Sequence, residues 1–135
     1  MLEALTALVV VGVLAAIAIP TWRTHQLRTR RADAMAALVA LQKAQDLHFG
    51  RQARYADGTQ LTAPAPAGLE RKTVSDHGFY RIELRVSGDG LAFTATARAQ
   101  GQADDSRCVE MSIDQNGQRR AMDTAGEDRS ADCWR

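Results

Sequence analysis

The sequence lacks the residue patterns on which enzymatic chemistry depends. Its 135 residues contain no nucleophile motif, no glycine-rich phosphate loop and no paired acid–base signature, and its serines have no matched histidine. The three histidines, His25, His48 and His77, are scattered rather than placed at metal-ligand spacing. The acidic pair Asp104 and Asp105 and the segment EDRSAD lack the glycine and ligand positions of an EF-hand loop. We therefore expect no catalytic residues, no metal and no cofactor.

A strong net charge is also missing, since the formal charge is +1 at pH 7. Bulk electrostatics therefore does not indicate a nucleic-acid partner. Locally, six basic residues would form a phosphate-binding stripe if the fold brought them together, although such charges more often form a solvated face. These candidate DNA contacts are Arg51, Arg54, Arg71, Lys72, Arg119 and Arg120. DNA binding is accordingly an alternative to the main prediction below.

Charge is absent altogether from Ala4 to Trp22. A helix of that length reaches roughly 28 Å, close to the ~30 Å hydrocarbon thickness of a bilayer. Residues 1–22 are therefore predicted to form a hydrophobic stalk that crosses a membrane. One alternative is a cleaved signal peptide, although no basic region precedes the apolar run. The other is a buried helix of a soluble protein, because Gly12 and several alanines lower its hydrophobicity.

Cysteine is scarce, with only Cys108 and Cys133 in the chain. A lone pair near the end of a small membrane-linked domain indicates a disulfide formed in an oxidising compartment. The cluster of arginines after the apolar run argues the other way, because the positive-inside rule would keep the main domain in the cytoplasm. We give more weight to the cysteines, since a basic segment preceding this sequence would restore the charge asymmetry.

The remaining residues, 23–135, are predicted to form one head domain. Proline within a helical pattern distorts the helix, so Pro20 should kink the stalk without ending it. Residues 23–49 continue as an amphipathic helix. Its apolar positions recur in steps of three and four, at Ala34, Leu38, Leu41, Ala44 and Leu47. One face of this half is therefore expected to be covered.

An irregular loop with at most a short turn is expected over residues 50–78, which are rich in Gly, Pro, Asp and Thr. Two hairpins follow over 79–122, FYRIELRV with LAFTATARA, and CVEMSID with QRRAM across a QNG turn. The fold class is thus α+β, with a four-stranded antiparallel sheet packed on the amphipathic helix. A polar, loop-like tail ends the chain, and a bridge across 108–133 would stabilise it by roughly 3 kcal/mol.

The N-terminal run GVLAAIAIP, from Gly12 to Pro20, resembles the N-terminus of type IV pilins. Glu3 lies nine positions before the glycine, and Trp22 supplies an aromatic residue soon after the proline. The segments RRADAMAAL, ARYADG, FTATARAQGQADDSRC and DQNG before a final Cys-Trp are similar to PilE-type minor pilins. The resemblance covers essentially the whole chain and implies the type IV pilin fold with a disulfide-closed C-terminal loop.

The resemblance implies a structural subunit of a type IV pilus that supports pilus biogenesis, adhesion or twitching motility. The chain would lie in the inner membrane with its head in the periplasm, and later in the extracellular pilus. Its partners would be other pilin subunits, a prepilin peptidase and the assembly platform. The family's leader peptide and the first two mature residues, the site of N-terminal methylation, would then precede Met1.

Three residues receive assembly roles from the resemblance. Glu3 would pair with the N-terminal amine of a neighbouring subunit, which is favourable because an unpaired carboxylate is costly in a low dielectric. The simpler reading places Glu3 among lipid headgroups. The resemblance also implies that the helix between Gly12 and Pro20 loses its helical structure on assembly. The simpler alternatives are that Gly12 only allows close helix packing and that Pro20 only kinks the helix.

One other function remains open besides DNA uptake by a pilin, that of a pseudopilin of a type II secretion apparatus. Some pseudopilins bind calcium in a comparable loop. The cysteine-closed C-terminal loop favours pilins, because the major pseudopilins usually lack it.

Overall fold

A computed structural model describes residues 2–101 and 105–135 of the chain. Helix α1 spans Leu2–Gln52, and a 3₁₀ turn spans Gly58–Gln60. The strands are β1 (Tyr80–Val86), β2 (Phe93–Ala99), β3 (Glu110–Asp114) and β4 (Arg119–Met122), followed by the short helix α2 (Ser130–Cys133). Neighbouring strands pair antiparallel in the order β1-β2-β3-β4. The predicted α+β class and both hairpins are confirmed.

Helix α1 passes through Pro20 and continues beyond the predicted end near Phe49, to Gln52. Gly50 did not end the helix. The helical path ends instead at Ala53, which adopts a left-handed φ of 54° while its amide donates to the Phe49 carbonyl at 2.8 Å. Near the proline, the Thr21 hydroxyl donates to the Ile17 carbonyl at 3.0 Å, a contact that favours bending. A kink at Pro20 stays a prediction.

The core of the head lies between one face of α1 and the inner face of the sheet. Burial alternates along each strand, as the apolar patterns predicted. The helix contributes Ala34, Leu38, Leu41 and Ala44, and the strands contribute Tyr80, Ile82, Leu84, Phe93, Ala95, Ala97, Met111, Ile113 and Ala121. Leu47 was expected on the covered face but is 63% exposed. The polar residues Gln45 and His48 take the buried positions of that turn.

The loop after α1 is irregular apart from the 3₁₀ turn, as predicted. Asp57 caps that turn by accepting hydrogen bonds from the amides of Thr59 and Gln60. The end of the loop runs beside β1, where Val74 forms a single bridge with Arg81. The loop therefore covers part of the β1 edge and is held against the sheet.

The tail is less irregular than predicted, because residues 130–133 form the short helix α2. The predicted disulfide is present between Cys108 and Cys133, whose Cα atoms are 5.9 Å apart. This bond ties the tail to the segment that leads into β3. It closes a loop of sequence separation 25, which the chain-entropy account stabilises by roughly 3 kcal/mol.

The hydroxyl of Tyr80 is a buried polar group inside the head. Tyr80 is 0% exposed, and its hydroxyl oxygen has no hydrogen-bond partner within residues 2–101 and 105–135. Burial raises the pKa of Tyr80 to about 12, and the nearby Asp105 carboxylate adds to the shift. Folding therefore favours the neutral phenol.

Alkaline pH should destabilise the head through Tyr80. The folded pKa of about 12 exceeds the ordinary value of 10.0, so the stability is complete below pH 10 and is lost as pH rises toward 12. The free energy of unfolding should fall by about 2–3 kcal/mol across that window. Urea unfolding on both sides of the window measures this loss. Tyr80→Phe should remove it, and an equal loss in the variant would contradict the assignment.

Candidate functional site

The N-terminal half of α1 presents its apolar side chains on every side. Between Leu5 and Trp22 the large apolar residues are 56–68% exposed, and the described head does not cover them. They are Leu5, Leu8, Val9, Val10, Val11, Val13, Leu14, Ile17, Ile19 and Trp22. By length and composition α1 is able to cross a membrane, and none of its most apolar window is buried. Each such side chain gains roughly 1.5–3 kcal/mol when buried, so this surface favours an apolar environment.

Glu3 lies in the first turn of α1, where the helix dipole favours a carboxylate. Its carboxylate forms no ion pair with any residue that the structure describes. The Thr6 hydroxyl donates to the main-chain carbonyl of Glu3 at 2.9 Å and does not bind its carboxylate. The Glu3 side chain is exposed. The geometry therefore leaves Glu3 available to a positive group outside the described chain.

Gly12 is not required by contacts within the head. A Cβ atom built at Gly12 meets nothing within 4 Å apart from the helix's own backbone nearby. The missing side chain would therefore matter only where another helix approaches closely. Pro20 lies on the same uncovered half of the helix, and both residues keep their proposed assembly roles as predictions.

The structure divides the six candidate DNA contacts into two groups. Four lie where α1 meets the loop that follows it: Arg51, Arg54, Arg71 and Lys72. Arg51 and Arg71 line one hollow of about 360 Å³ and make no ion pair with a described residue. Lys72 is engaged by Asp76 at 2.8 Å, and both side chains are exposed. These four residues are here called the loop-side cations, and Glu70 lines the same hollow as Arg51 and Arg71.

The other two candidates, Arg119 and Arg120, point to opposite faces of β4. Arg119 shares a face with buried Ala121, and its guanidinium lies over the Trp134 ring at 5.1 Å. Arg120 instead lines a hollow with Glu110, Asp114 and Asp128 on the outer face of the sheet, among others. Strand alternation already implied this separation, so the six residues do not form a single stripe.

Lys43 is a basic residue that the sequence interpretation did not select. It lines the hollow of Arg51 and Arg71, and it also lines the groove that contains Arg119 and Trp134. Its spacing from Leu47 and Arg51, at steps of four, would have placed all three on one helix face. Lys43 therefore extends the loop-side cations toward the other edge of α1.

Within residues 2–101 and 105–135 no group of three His, Cys, Asp or Glu side chains is placed to hold a metal ion. The Asp105 carboxylate accepts hydrogen bonds from Arg31 Nε at 2.5 Å and from Arg31 Nη2 at 3.0 Å. Asp104, the other carboxylate of the candidate pair, lies outside the described residues.

Comparisons with known proteins place these features in a family. Residues 20–112 match the family described as "Type IV minor pilin ComP, DNA uptake sequence receptor". A type IV pilin from Shewanella oneidensis has a similar structure, with a TM-score of 0.52 and 25% sequence identity. The match covers 69% of this chain and 89% of that pilin. No curated protein sequence matches the chain significantly.

Proposed function

The chain belongs to the ComP family of type IV minor pilins, and we propose that it enters a type IV pilus through the uncovered apolar half of α1. The observation that carries this proposal is the charge-free, exposed and largely apolar surface from Leu5 to Trp22. A bilayer would cover that surface before assembly, and the helices of neighbouring subunits would cover it in the filament.

Glu3 sets the position of the subunit in this proposal. A carboxylate moved with α1 into a low dielectric is costly unless a positive group receives it. The terminal amine of a neighbouring subunit is such a group, and pairing would fix the axial register of the two helices. The exposed position of Glu3 in the first helical turn supports this role.

Replacing Glu3 by alanine should lower incorporation of this subunit into sheared filaments by at least about tenfold, because the register pair is lost. Quantitative mass spectrometry of filament and membrane fractions measures the ratio. Thr6→Ala is the matched control, since it removes an exposed polar group one turn away, and it should leave the ratio unchanged. Normal incorporation of the Glu3→Ala subunit would refute the register role.

The location that we propose follows from the same features. The subunit waits in the inner membrane with its head in the periplasm, where the Cys108–Cys133 disulfide forms in an oxidising environment. It then becomes part of the extracellular pilus and contributes to adhesion or twitching motility.

The alternative function is that of a type II secretion pseudopilin. Loss of protein export rather than of motility in a deletion strain would favour it. The narrower kinship with PilE-type minor pilins remains a prediction.

A second candidate function is DNA binding by the same head. The matched family is described as a DNA uptake sequence receptor, and four of the predicted contacts share one side of the head. Arg51 and Arg71 are the strongest candidates, because neither makes an ion pair with a described residue and phosphate contacts release counterions. One carboxylate, Glu70, lines their hollow, whereas three carboxylates line the hollow of Arg120 and make that residue a weaker candidate.

The double variant Arg51→Gln/Arg71→Gln should bind mixed-sequence duplex DNA roughly tenfold more weakly at low salt. The slope of log affinity against log salt should also become shallower by about 2, one unit for each lost phosphate contact. Arg119→Gln/Arg120→Gln is the charge-matched control and should change both values less. Unchanged binding by the first variant would remove the loop-side cations from the interface, and a larger loss in the second would move the interface to β4.

A further inference from the structure

Four arginines follow the exposed apolar half of α1, and the head engages the last two of them. The Arg30 guanidinium lies 5.1 Å from the centre of the Phe79 ring, within the range of a cation–π contact. The Arg31 guanidinium binds the buried carboxylate of Asp105 at 2.5 Å. These two charges are therefore used inside the head.

The first two arginines, Arg23 and Arg28, are here called the arginine collar. Both are exposed, and neither forms an ion pair with a residue that the structure describes. They lie five positions apart, so they project about 140° apart around the helix. No acidic residue lies between Glu3 and Asp33 in the sequence, so α1 supplies no carboxylate one turn from either arginine. The collar charges are thus left to solvent or to a partner outside the described chain.

The collar lies directly after a segment that matches the thickness of a bilayer. The charge-free helix from Ala4 to Trp22 covers about 28 Å of the ~30 Å hydrocarbon layer. Trp22 is 65% exposed and is a residue type enriched at the membrane–water interface. Arg23 follows it immediately, and Arg28 lies about 9 Å further along the helix. When the stalk spans a bilayer, both arginines lie at or just outside the level of the lipid headgroups.

Helix geometry directs the collar side chains back toward that level. Every Cα–Cβ bond of an α-helix tilts toward the N-terminus, which for α1 is the membrane-spanning end. An arginine side chain is long enough to carry its guanidinium well away from its own Cα. The planar fork of N–H donors matches the geometry of a phosphate group. The collar therefore presents phosphate-binding groups to the layer in which lipid phosphates lie.

We propose that Arg23 and Arg28 bind the phosphates of anionic phospholipids in the leaflet on the head side of the membrane. The inference rests on the proposed location of α1 in a bilayer before assembly. Because the two arginines project to different sides of the helix, they contact separate lipid molecules. Zwitterionic lipids attract them less, since a cationic group in the same headgroup offsets the phosphate charge. Lipid binding gives both arginines a role on the side where the positive-inside rule does not expect them.

Quenching of Trp22 fluorescence by brominated lipids tests the proposal on the full chain in nanodiscs. In a Trp134→Phe background Trp22 is the only tryptophan. Brominated phosphatidylglycerol and brominated phosphatidylcholine are compared at equal mole fraction in the same mixed bilayer. Phosphatidylglycerol should be preferred next to Trp22 by about fivefold, the factor expected for one arginine near an anionic surface. Raising the salt concentration from about 0.1 M to about 1 M should reduce this preference.

The double variant Arg23→Gln/Arg28→Gln should abolish the preference, so that the two lipids quench Trp22 equally. Arg81→Gln/Arg85→Gln is the charge-matched control. Both of these arginines are exposed on β1, and neither forms an ion pair with a described residue. The control should keep the preference, because it changes the charge of the head by the same amount away from the stalk.

Four results would overturn the proposal. Equal quenching in the unsubstituted collar would refute lipid selection, and a low share of the collar variant in sheared filaments would then assign the arginines to carboxylates of neighbouring subunits. A preference that survives in the collar variant would have its cause elsewhere in the chain. Loss of the preference on adding inorganic phosphate at constant ionic strength would assign the arginines to free phosphate. Absence of quenching by either lipid would overturn the proposed membrane location as well, whereas the first three results would leave it intact.

Discussion

Asp105→Ala should destabilise the head by about 3–5 kcal/mol, because it breaks a buried ion pair by removing one partner. The Asp105 side chain is 1% exposed and binds the guanidinium of Arg31 on α1. Its Oδ1 also accepts from the amides of Arg107 and Cys108, at 3.2 and 3.3 Å. The hydrogen bond that Arg31 donates to Asp105 raises the pKa of Arg31. The variant would therefore leave a charged guanidinium and two amides without this acceptor.

Urea unfolding of the full chain in micelles, followed by near-ultraviolet circular dichroism, measures the loss. The midpoint should fall while the slope stays constant, since a change in slope would indicate altered compactness. Asp76→Ala is the matched control. Its ion pair with Lys72 has a similar distance, 2.8 Å, but the side chains are 75% and 79% exposed. The control should cost less than about 0.5 kcal/mol. Equal losses would show that burial does not set the strength of the Arg31 pair.

The pair also explains how the head is joined to the stalk helix. Arg31 lies about one-third of the way from the exposed apolar residues to the end of α1, and Asp105 lies just before the disulfide. The ion pair and the disulfide therefore converge on the segment 105–108. The ion pair fixes that segment to α1, and the disulfide fixes the C-terminal tail, residues 123–135, to it. Loss of the ion pair should consequently loosen the attachment of segment 105–108, and of the tail bonded to it, to α1.

Much of the fold was predictable because its signals are local. The two-residue alternation in β1 and β2 fixes which side chains face α1, and the steps of three and four identify Leu38 and Leu41 as helix core. Because the chain has only two cysteines, only one intramolecular disulfide was possible, between Cys108 and Cys133. The exposed apolar half of α1 was equally predictable, since a charge-free run is recognised without knowledge of distant residues. These inferences required only the chemistry of neighbouring positions.

The polar contacts were not predictable, because their partners are distant in sequence. Arg31 and Asp105 are separated by 74 positions, and no local pattern in the sequence links them. Leu47 is an apolar residue that the sequence pattern wrongly placed in the core. Its spacing fits the apolar stripe, but Gln45 and His48 are buried in its place. A hydrogen bond available on the loop can favour a polar side chain in the core, which an apolar pattern does not indicate.

Gln45→Leu should destabilise the head by about 3 kcal/mol, although leucine is more hydrophobic. The Gln45 side chain donates to the Ala56 carbonyl at 2.8 Å and accepts from the Ala56 amide at 2.9 Å. Both residues are 0% exposed. Leucine would leave two buried backbone groups unpaired, at about 1–3 kcal/mol each, offset in part by apolar burial. The first part of the loop, with Arg54, would lose its attachment to α1.

Gln42→Leu is the matched control on the same helix. Gln42 makes one half-buried bond, to the Asp114 carbonyl at 3.3 Å, so its loss should cost about 1 kcal/mol or less. Urea unfolding compares the two variants, and amide exchange at Ala56 identifies the broken contact. Exchange there should accelerate only in Gln45→Leu. Equal stability of the two variants would mean that Ala56 finds another partner, and the loop would then owe its position to packing of Leu61 and Leu69 in the core.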